Sequence, residues 1–171
     1  MGASRLYWIH KFSEGNLAIM AAPRPEDRLD ETILAWKDEG VDIVVSLVEQ
    51  QEIPGLIEAE RALCEEFDLA FLWLPVRDKT VPSSVDAVMK IADQLASDIT
   101  AGRSVAIHCR AGIGRSTVLA ASVLIRLNID GATALDMIAE SRGIEVPETE
   151  AQRQWILDFF RISALRSTDQ I

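Results

Sequence analysis

The chain has 171 residues, of which 49% are hydrophobic and 26% charged, and its formal net charge at pH 7 is −10. This length and apolar content predict a single domain over residues 1–171, with a sizeable core. The acidic balance argues against binding to nucleic acid or to an anionic membrane surface. No apolar run approaches the roughly 20 residues of a membrane span, and no signal-peptide pattern is found, which argues against membrane insertion.

The cysteine and histidine counts limit the chemistry further. Two cysteines make no disulfide framework, and two histidines far apart in the chain are a poor set of metal ligands. We therefore expect no metal and no other cofactor. The same observations favour a cytoplasmic protein that acts as a monomer and has no nucleic-acid partner.

Hydrophobic periodicity predicts strands that alternate with helices. The predicted strands are 6–9, 17–20, 41–48, 69–74 and 104–107. The predicted helices are 25–39, 54–67, 83–101, 116–125, 131–142 and 147–165. This order indicates an α/β fold with one central, mostly parallel, twisted sheet, flanked by helices on both faces. The first two strands read as a short hairpin or edge pair, and residues 1–5 and 167–171 are expected to be disordered.

The most informative segment, residues 108–116, joins the strand 104–107 to the uncharged helix 116–125. Gly112 and Gly114 allow a tight turn whose N–H groups point inward. Inward N–H groups and the positive end of a helix form an anion site. Arg115 adds a planar guanidinium that can hold two phosphate oxygens at once. The segment therefore predicts a phosphate cradle.

Cys109 lies at the base of this cradle. The helix N-terminus and the neighbouring arginines favour its thiolate form, which would point at the bound phosphorus. The hydroxyl of Ser116 is placed to donate a hydrogen bond to that sulfur. The segment is not a Walker A loop, because Arg115 rather than lysine follows Gly114.

A thiolate cannot supply the proton that a leaving alkoxide or phenoxide needs, so a separate acid is required. The candidate is Asp78, the only carboxylate in the proline-bounded loop 75–82 that follows the strand 69–74. Arg77 and Lys79 flank it and are candidates for attracting an anionic substrate.

The cysteine, the five intervening residues and the pair Arg115-Ser116 resemble the His-Cys-x5-Arg-Ser/Thr signature of cysteine-dependent protein tyrosine phosphatases. Asp78, one helix upstream, resembles the general acid of the compact dual-specificity members. The resemblance implies a phosphocysteine intermediate on Cys109, acid–base catalysis by Asp78, and assistance by Ser116 when the thiolate leaves. It also implies phosphate binding by the loop residues Arg110, Ala111, Gly112, Ile113, Gly114 and Arg115.

The chain has one tyrosine and no aromatic recognition loop before its first helix. The resemblance therefore suggests a shallow pocket that accepts phosphotyrosine and also phosphoserine or phosphothreonine on a protein. Three alternatives stay open. They are a phosphatase of a phosphoinositide or other small phosphate ester, a non-catalytic phosphate-binding module, and a sulfurtransferase.

Four other residues receive weaker interpretations. Glu52, with Glu49, reads as a solvated strand end rather than a selector of basic peptides. Gln152 lies at an acidic helix start, and the water-positioning role that some relatives give a glutamine is disfavoured for it. Cys64 reads as core packing, with a protective disulfide to Cys109 as the alternative.

Overall fold

The computed structural model describes residues 5–11, 14–24 and 28–168. Most of the two ends expected to be disordered, residues 1–4 and 169–171, lie outside the described residues. Arg5 is exposed, and residues 167–168 belong to the last helix.

Within the described part of the chain, five strands form one sheet in the order β1-β2-β5-β3-β4. Their bounds are β1 Tyr7–Lys11, β2 Asn16–Ala21, β3 Ile43–Ser46, β4 Ala70–Trp73 and β5 Val105–Cys109. β1 pairs with β2 in antiparallel fashion, and the three remaining pairs are parallel. The predicted hairpin and the mostly parallel sheet are both confirmed.

The helices cover both faces of this sheet. Their bounds are α1 Leu29–Asp38, α2 Leu56–Glu66, α3 Val85–Thr100, α4 Arg115–Arg126, α5 Gly131–Arg142 and α6 Glu150–Thr168. Successive strand residues point to opposite faces. Accordingly, Val105, Ile107 and Cys109 of β5 pack in the core cluster that contains α3 to α6, whereas Ala106 packs in the cluster that contains α1 and α2.

Local chemistry sets the helix boundaries that matter for the site. The Oγ of Ser84 accepts a hydrogen bond from the N–H of Ala87 at 3.1 Å and caps α3. Thr149 and Gln152 form a reciprocal capping box at the start of α6, with both side chain–backbone distances at 3.2 Å. That box starts α6 at Glu150, three residues later than predicted.

The described helices include none with both the length and the hydropathy needed to cross a bilayer.

Candidate active site

We call residues 109–115 the cradle loop; it links β5 to α4 at the carboxyl end of the sheet, where open α/β sheets bind ligands. Gly112 has a positive φ of 67°. A Cβ atom there would lie 2.5 Å from the carbonyl carbon and oxygen of Met20, the penultimate residue of β2. Only glycine meets both constraints, so the turn is held tightly against the neighbouring strand.

Cys109 ends β5 and is 3% exposed. Its Sγ lies 3.4 Å from the Oγ of Ser116, in the first turn of α4. The N–H of Ala22, the residue after β2, donates to the carbonyl oxygen of Cys109 at 2.8 Å and fixes its backbone. The structure therefore brings the predicted nucleophile and the predicted hydroxyl together at a helix N-terminus.

The guanidinium of Arg115 is almost fully buried, at 2% exposure, and five acceptor atoms surround its two terminal nitrogens, the most distant being the carbonyl oxygen of Leu47 at 3.4 Å from Nη1. Nη1 donates to Glu52 Oε1 at 2.6 Å and to the carbonyl oxygen of Val76 at 2.7 Å. Nη2 donates to Glu52 Oε2 at 2.9 Å and to Asp78 Oδ1 at 2.9 Å. Nε is buried and has no hydrogen-bond partner among the described residues. Arg115 thus keeps one unused donor at the cradle.

Electrostatic interactions keep both Arg115 and Glu52 in their charged forms. Burial alone would lower the pKa of Arg115, but its hydrogen bond to Glu52 and the charges of Cys109, Glu52 and Asp78 outweigh burial and raise it. Burial would likewise raise the pKa of Glu52, but the hydrogen bonds from Arg115 and from the N–H of Glu49, with the charges of Arg115 and Arg110, lower it overall. The cation is therefore present before any substrate binds.

Asp78 comes to the site from what we call the acid loop, residues 75–82. Its Oδ1 accepts from Arg115 Nη2 and also from the N–H of Lys79 at 3.0 Å. The Oγ1 of Thr80 donates to the carbonyl oxygen of Arg77 at 2.7 Å and closes the loop on itself. The predicted acid and the predicted phosphate-binding arginine are thus in direct contact.

Gln152 anchors the acid loop. It is fully buried, its Oε1 completes the capping box of α6, and its Nε2 donates to the carbonyl oxygen of Thr80 at 3.1 Å. A Cβ atom on Gly114 would lie 2.8 Å from Gln152 Oε1. One side chain therefore connects the acid loop, the cradle loop and the start of α6.

The interpretation of Glu52 as part of a solvated strand end is wrong. Its side chain is 9% exposed and binds Arg115 with both oxygens. The N–H of Glu49 donates to Glu52 Oε1 at 2.8 Å and holds the carboxylate in place. The only signal in the sequence was that Glu52 follows the strand β3. Because β3 and β5 are parallel neighbours, their carboxyl ends meet at the same edge of the sheet.

Sequence reasoning also missed Arg142, the last residue of α5. Its Nε donates to the carbonyl oxygen of Gly112 at 2.9 Å and its Nη2 to that of Ala111 at 3.4 Å, while its guanidinium stacks over the ring of Tyr7 at 4.0 Å. In a trans peptide the N–H points away from the C=O. Arg142 holds the carbonyl groups of Ala111 and Gly112 on its own side of the cradle loop. The N–H groups of the same two peptides, which belong to Gly112 and Ile113, therefore point to the opposite side.

Cys64 lies in the core cluster that contains α1 and α2, whereas Cys109 lies in the cluster on the other face of the sheet. Burial, and then the charge of Glu60, raise the pKa of the Cys64 thiol to about 12. This placement supports the interpretation of Cys64 as core packing and not as the partner of a disulfide.

The described part of the chain contains no group of three or more His, Cys, Asp or Glu side chains arranged to hold a metal ion.

The site agrees with comparisons to known proteins. A family model described as "Polymorphic toxin system, DSP-PTPase phosphatase" matches residues 18–129, a span that includes Asp78 and the whole cradle loop. The chain belongs to this family. The resemblance to compact dual-specificity phosphatases, which rested on Asp78 and on residues 108–116, is thereby confirmed.

A curated relative of this DSP-PTPase chain is cyclin-dependent kinase inhibitor 3 of Rattus norvegicus. The two are 27% identical over 109 residues, which is 63% of this chain and 49% of the relative. The chain thus matches about half the length of that relative.

Solved structures extend the likeness over most of the fold. The active form of Tk-PTP is 26% identical, with a TM-score of 0.70 over 91% of this chain and 96% of that one. Kinase associated phosphatase, with serine in place of its catalytic-site cysteine, is 18% identical with a TM-score of 0.76 over 96% and 98%. PTPMT1 in complex with PI(5)P is 24% identical with a TM-score of 0.72 over 88% and 94%. The last two show the fold alone.

Proposed function

We propose that this chain hydrolyses phosphate monoesters on phosphorylated proteins, phosphotyrosine and also phosphoserine or phosphothreonine, through a phosphocysteine intermediate. One observation carries the proposal. The carboxylate of Asp78 lies 2.9 Å from Nη2 of Arg115, so an acid from a separate loop meets the phosphate-binding arginine beside Cys109. A module that only bound phosphate would gain nothing from a carboxylate at that point.

Phosphate binding follows from the donors that remain. Nη1 of Arg115 is committed to Glu52 and Val76, whereas Nε is buried and unpaired. An incoming phosphate would be held by Nε, by Nη2 and by the inward N–H groups of residues 110–114. Asp78 has to leave Nη2 for this to happen, which frees its carboxylate to face the leaving group.

In the first step the thiolate of Cys109 attacks phosphorus. The S–P bond forms, the P–O bond to the leaving group breaks, and Asp78 gives its proton to the departing oxygen. After Asp78 leaves Arg115, its Oδ1 still accepts from the N–H of Lys79, so Oδ2 is the oxygen that carries the proton. Arg115 and the loop amides stabilise the charge on the transferring phosphoryl group.

In the second step water attacks the phosphocysteine. Asp78, now ionised, takes a proton from that water as the O–P bond forms and the S–P bond breaks. The sulfur leaves as a thiolate, and the hydroxyl of Ser116, 3.4 Å away, donates a hydrogen bond to it. Inorganic phosphate is released and the thiolate is restored.

The test is hydrolysis of an aryl phosphate in the presence of EDTA by wild type, Cys109→Ser and Asp78→Ala, with Cys64→Ser as the matched thiol control. We expect activity in wild type and in Cys64→Ser, none in Cys109→Ser, and a loss of kcat of about a hundredfold or more in Asp78→Ala. A burst of phosphocysteine detected by mass spectrometry would support the intermediate. Full activity in Cys109→Ser would sink the proposal.

The substrate class is tested separately with phosphopeptides and soluble phosphoinositides. We expect turnover of peptides to dominate. A preference for the phosphoinositides would favour the alternative function, a phosphatase of a phosphoinositide. That alternative is kept because PTPMT1, which has a similar fold, was solved in complex with PI(5)P. Because a catalytic thiol requires a reducing compartment, we also propose that the protein acts in the cytoplasm.

A further inference from the structure

A buried acid–imidazole pair lies directly behind the cradle loop. Glu60 Oε1 and His108 Nε2 are 2.8 Å apart, and both side chains are fully buried. Glu60 lies on the buried stripe of α2 between Ile57 and Cys64. A carboxylate at such a position costs folding free energy that an aliphatic side chain would not, even when the carboxylate is paired. Packing alone does not explain Glu60.

The pair is only half satisfied. Glu60 Oε2, His108 Nδ1 and Ser46 Oγ are buried and have no hydrogen-bond partner among the residues that the structure describes. Ser46 is the register partner of His108 between β3 and β5, so its side chain lies on the same face of the sheet. A partly satisfied buried network is costly, and its position immediately behind a proposed nucleophile indicates a functional reason.

His108 connects this network to the nucleophile. Its ring lies on the α1 and α2 face, while the side chain of the next residue, Cys109, lies on the opposite face. The N–H of Leu47 donates to the carbonyl oxygen of His108 at 2.9 Å. The ring of Trp36 lies 6.5 Å from the imidazole. Main chain and ring are therefore both held immediately before Cys109.

Among the described residues, His108 is faced by one residue from each of four elements: Glu60 from α2, Trp36 from α1, Ser46 from β3 and Met20 from β2. Of these, Glu60 alone can ionise. Cys64, one turn further along α2, interacts with Glu60 through charge.

We propose that Glu60 is a positioning residue that acts through His108. Its carboxylate keeps a proton on Nε2 of the imidazole, fixes the ring, and so fixes the end of β5 that carries Cys109 at the N-terminus of α4. A carboxylate that accepts from one ring nitrogen determines the tautomer and orientation of the whole ring. This inference rests on the proposed phosphatase function.

Glu60→Gln tests the coupling, because the amide keeps the shape of the side chain but loses its charge, and a neutral amide oxygen is a weaker acceptor for Nε2–H than a carboxylate. Glu65→Gln, an exposed acid on the same helix, is the matched control. We expect kcat for an aryl phosphate to fall about tenfold to a hundredfold in Glu60→Gln, because small displacements of reacting groups cost that much. The KM of Glu60→Gln should stay within about twofold of the wild-type value, and so should both kcat and KM of Glu65→Gln. These changes are well below the loss of kcat that a displaced reacting group causes.

Two readouts separate positioning from general destabilisation. In a double-mutant cycle, Glu60→Gln combined with His108→Asn should lose no more kcat than His108→Asn alone. The rate at which iodoacetamide alkylates Cys109, followed by peptide mass spectrometry, should fall in Glu60→Gln. Additive losses in the cycle, or wild-type kcat in a folded Glu60→Gln, would overturn the proposal.

A last measurement needs neither a variant of Glu60 nor enzymatic activity. ¹⁵N NMR of the wild-type imidazoles, assigned with His10→Asn, should find the proton of His108 on Nε2 rather than on Nδ1 alone. An unprotonated Nε2 would overturn the coupling even in an active enzyme. A wild type inactive on every phosphate ester, with Nε2 protonated and Cys109 alkylation still dependent on Glu60, would instead count against the proposed function alone.

Discussion

Both carboxylate oxygens of Glu52 accept hydrogen bonds from the guanidinium of Arg115, at 2.6 and 2.9 Å. The pair leaves two donors of the arginine for an incoming anion: Nε, which is unpaired among the described residues, and the N–H of Nη2 that Asp78 occupies until it moves away. Arg115 is therefore charged and oriented before phosphate arrives, so no free energy is spent on reorganising it during the reaction. The first prediction follows from this contact.

Glu52→Gln should raise KM for an aryl phosphate about tenfold or more, because one lost charge-assisted contact at a buried site is worth roughly 1–3 kcal/mol. It should also lower the free energy of unfolding at neutral pH by a similar amount. Urea denaturation and steady-state kinetics measure the two effects. Glu49→Gln, in the same loop, is the control and should change little.

The pH dependence of that stability difference has a definite sign. The folded pKa of Glu52 lies below its usual value of 4.5. Its ionised form therefore stabilises the fold fully above that value, and the contribution is lost as pH falls through the lower folded pKa. The gap between wild type and Glu52→Gln should shrink in acid. A gap that widens in acid would contradict the assignment.

Asp78→Asn should lower kcat by about a hundredfold to ten-thousandfold, the usual contribution of a general acid. The loss should be smaller for substrates whose leaving group needs no protonation. Because Asp78 competes with phosphate for Nη2 of Arg115, the same variant should bind inorganic phosphate or vanadate more tightly than wild type. Asp86→Asn, on the exposed start of α3, is the control. Weaker oxyanion binding in Asp78→Asn would count against the competition.

Cys64 should be chemically silent in the folded protein, since burial and the charge of Glu60 raise the pKa of its thiol to about 12. Iodoacetamide should label Cys109 alone until the protein unfolds. Inactivation by peroxide and recovery with a thiol reductant should be the same in wild type and Cys64→Ala. A peroxide-induced disulfide between the two cysteines, detected by mass spectrometry, would refute this placement.

Gly112→Ala should nearly abolish activity and destabilise the fold by about 1–3 kcal/mol, because a Cβ would combine backbone strain with a clash against Met20. Gly143→Ala is a matched control. Its φ is 68° against 67° at Gly112, but nothing lies within 4 Å of its Cβ position. The control should lose about 1 kcal/mol and keep its kcat. Equal effects in the two variants would mean that the contact with β2 is unimportant.

Arg142→Met should weaken phosphate binding several-fold, because the carbonyl groups of Ala111 and Gly112 lose the donors that orient their peptides. The effect should appear as a raised inhibition constant for phosphate and a raised KM. Arg142→Lys should rescue it partly at best, since one ammonium cannot reproduce the planar two-point contact. Arg161→Met, which removes only an exposed ion pair with Asp158, controls for loss of charge.

Local patterns were enough to predict the strands, the helices and the cradle loop. The period of apolar residues is a short-range property, and a strand, a glycine turn and a helix in succession already define an anion site. The end of β5 and the start of α4 each lay within two residues of the predicted bounds. Asp78 was found because its loop contains no other carboxylate.

The contacts that support the site could not be read in this way. Glu52 and Arg115 are 63 residues apart, Glu60 and His108 are 48 apart, and Arg142 lies 30 residues after Gly112. Each pair is made by packing between elements, which leaves no periodic trace in the sequence. The late start of α6 is different, because Thr149 and Gln152 have the spacing of a capping box, a local signal that the predicted start at residue 147 did not use.

The position of β5 has a consequence for how the protein folds. β5 is the last of the described strands along the chain, yet it lies at the centre of the sheet between β2 and β3. Its residue Val105 is paired in register with Leu17 of β2. Such distant pairings form slowly, because the entropy of closing the intervening chain is lost before the contacts form. Until β5 is inserted, β2 and β3 lack their shared neighbour and Cys109 has no cradle. Recovery of activity on refolding should therefore report completion of the sheet itself.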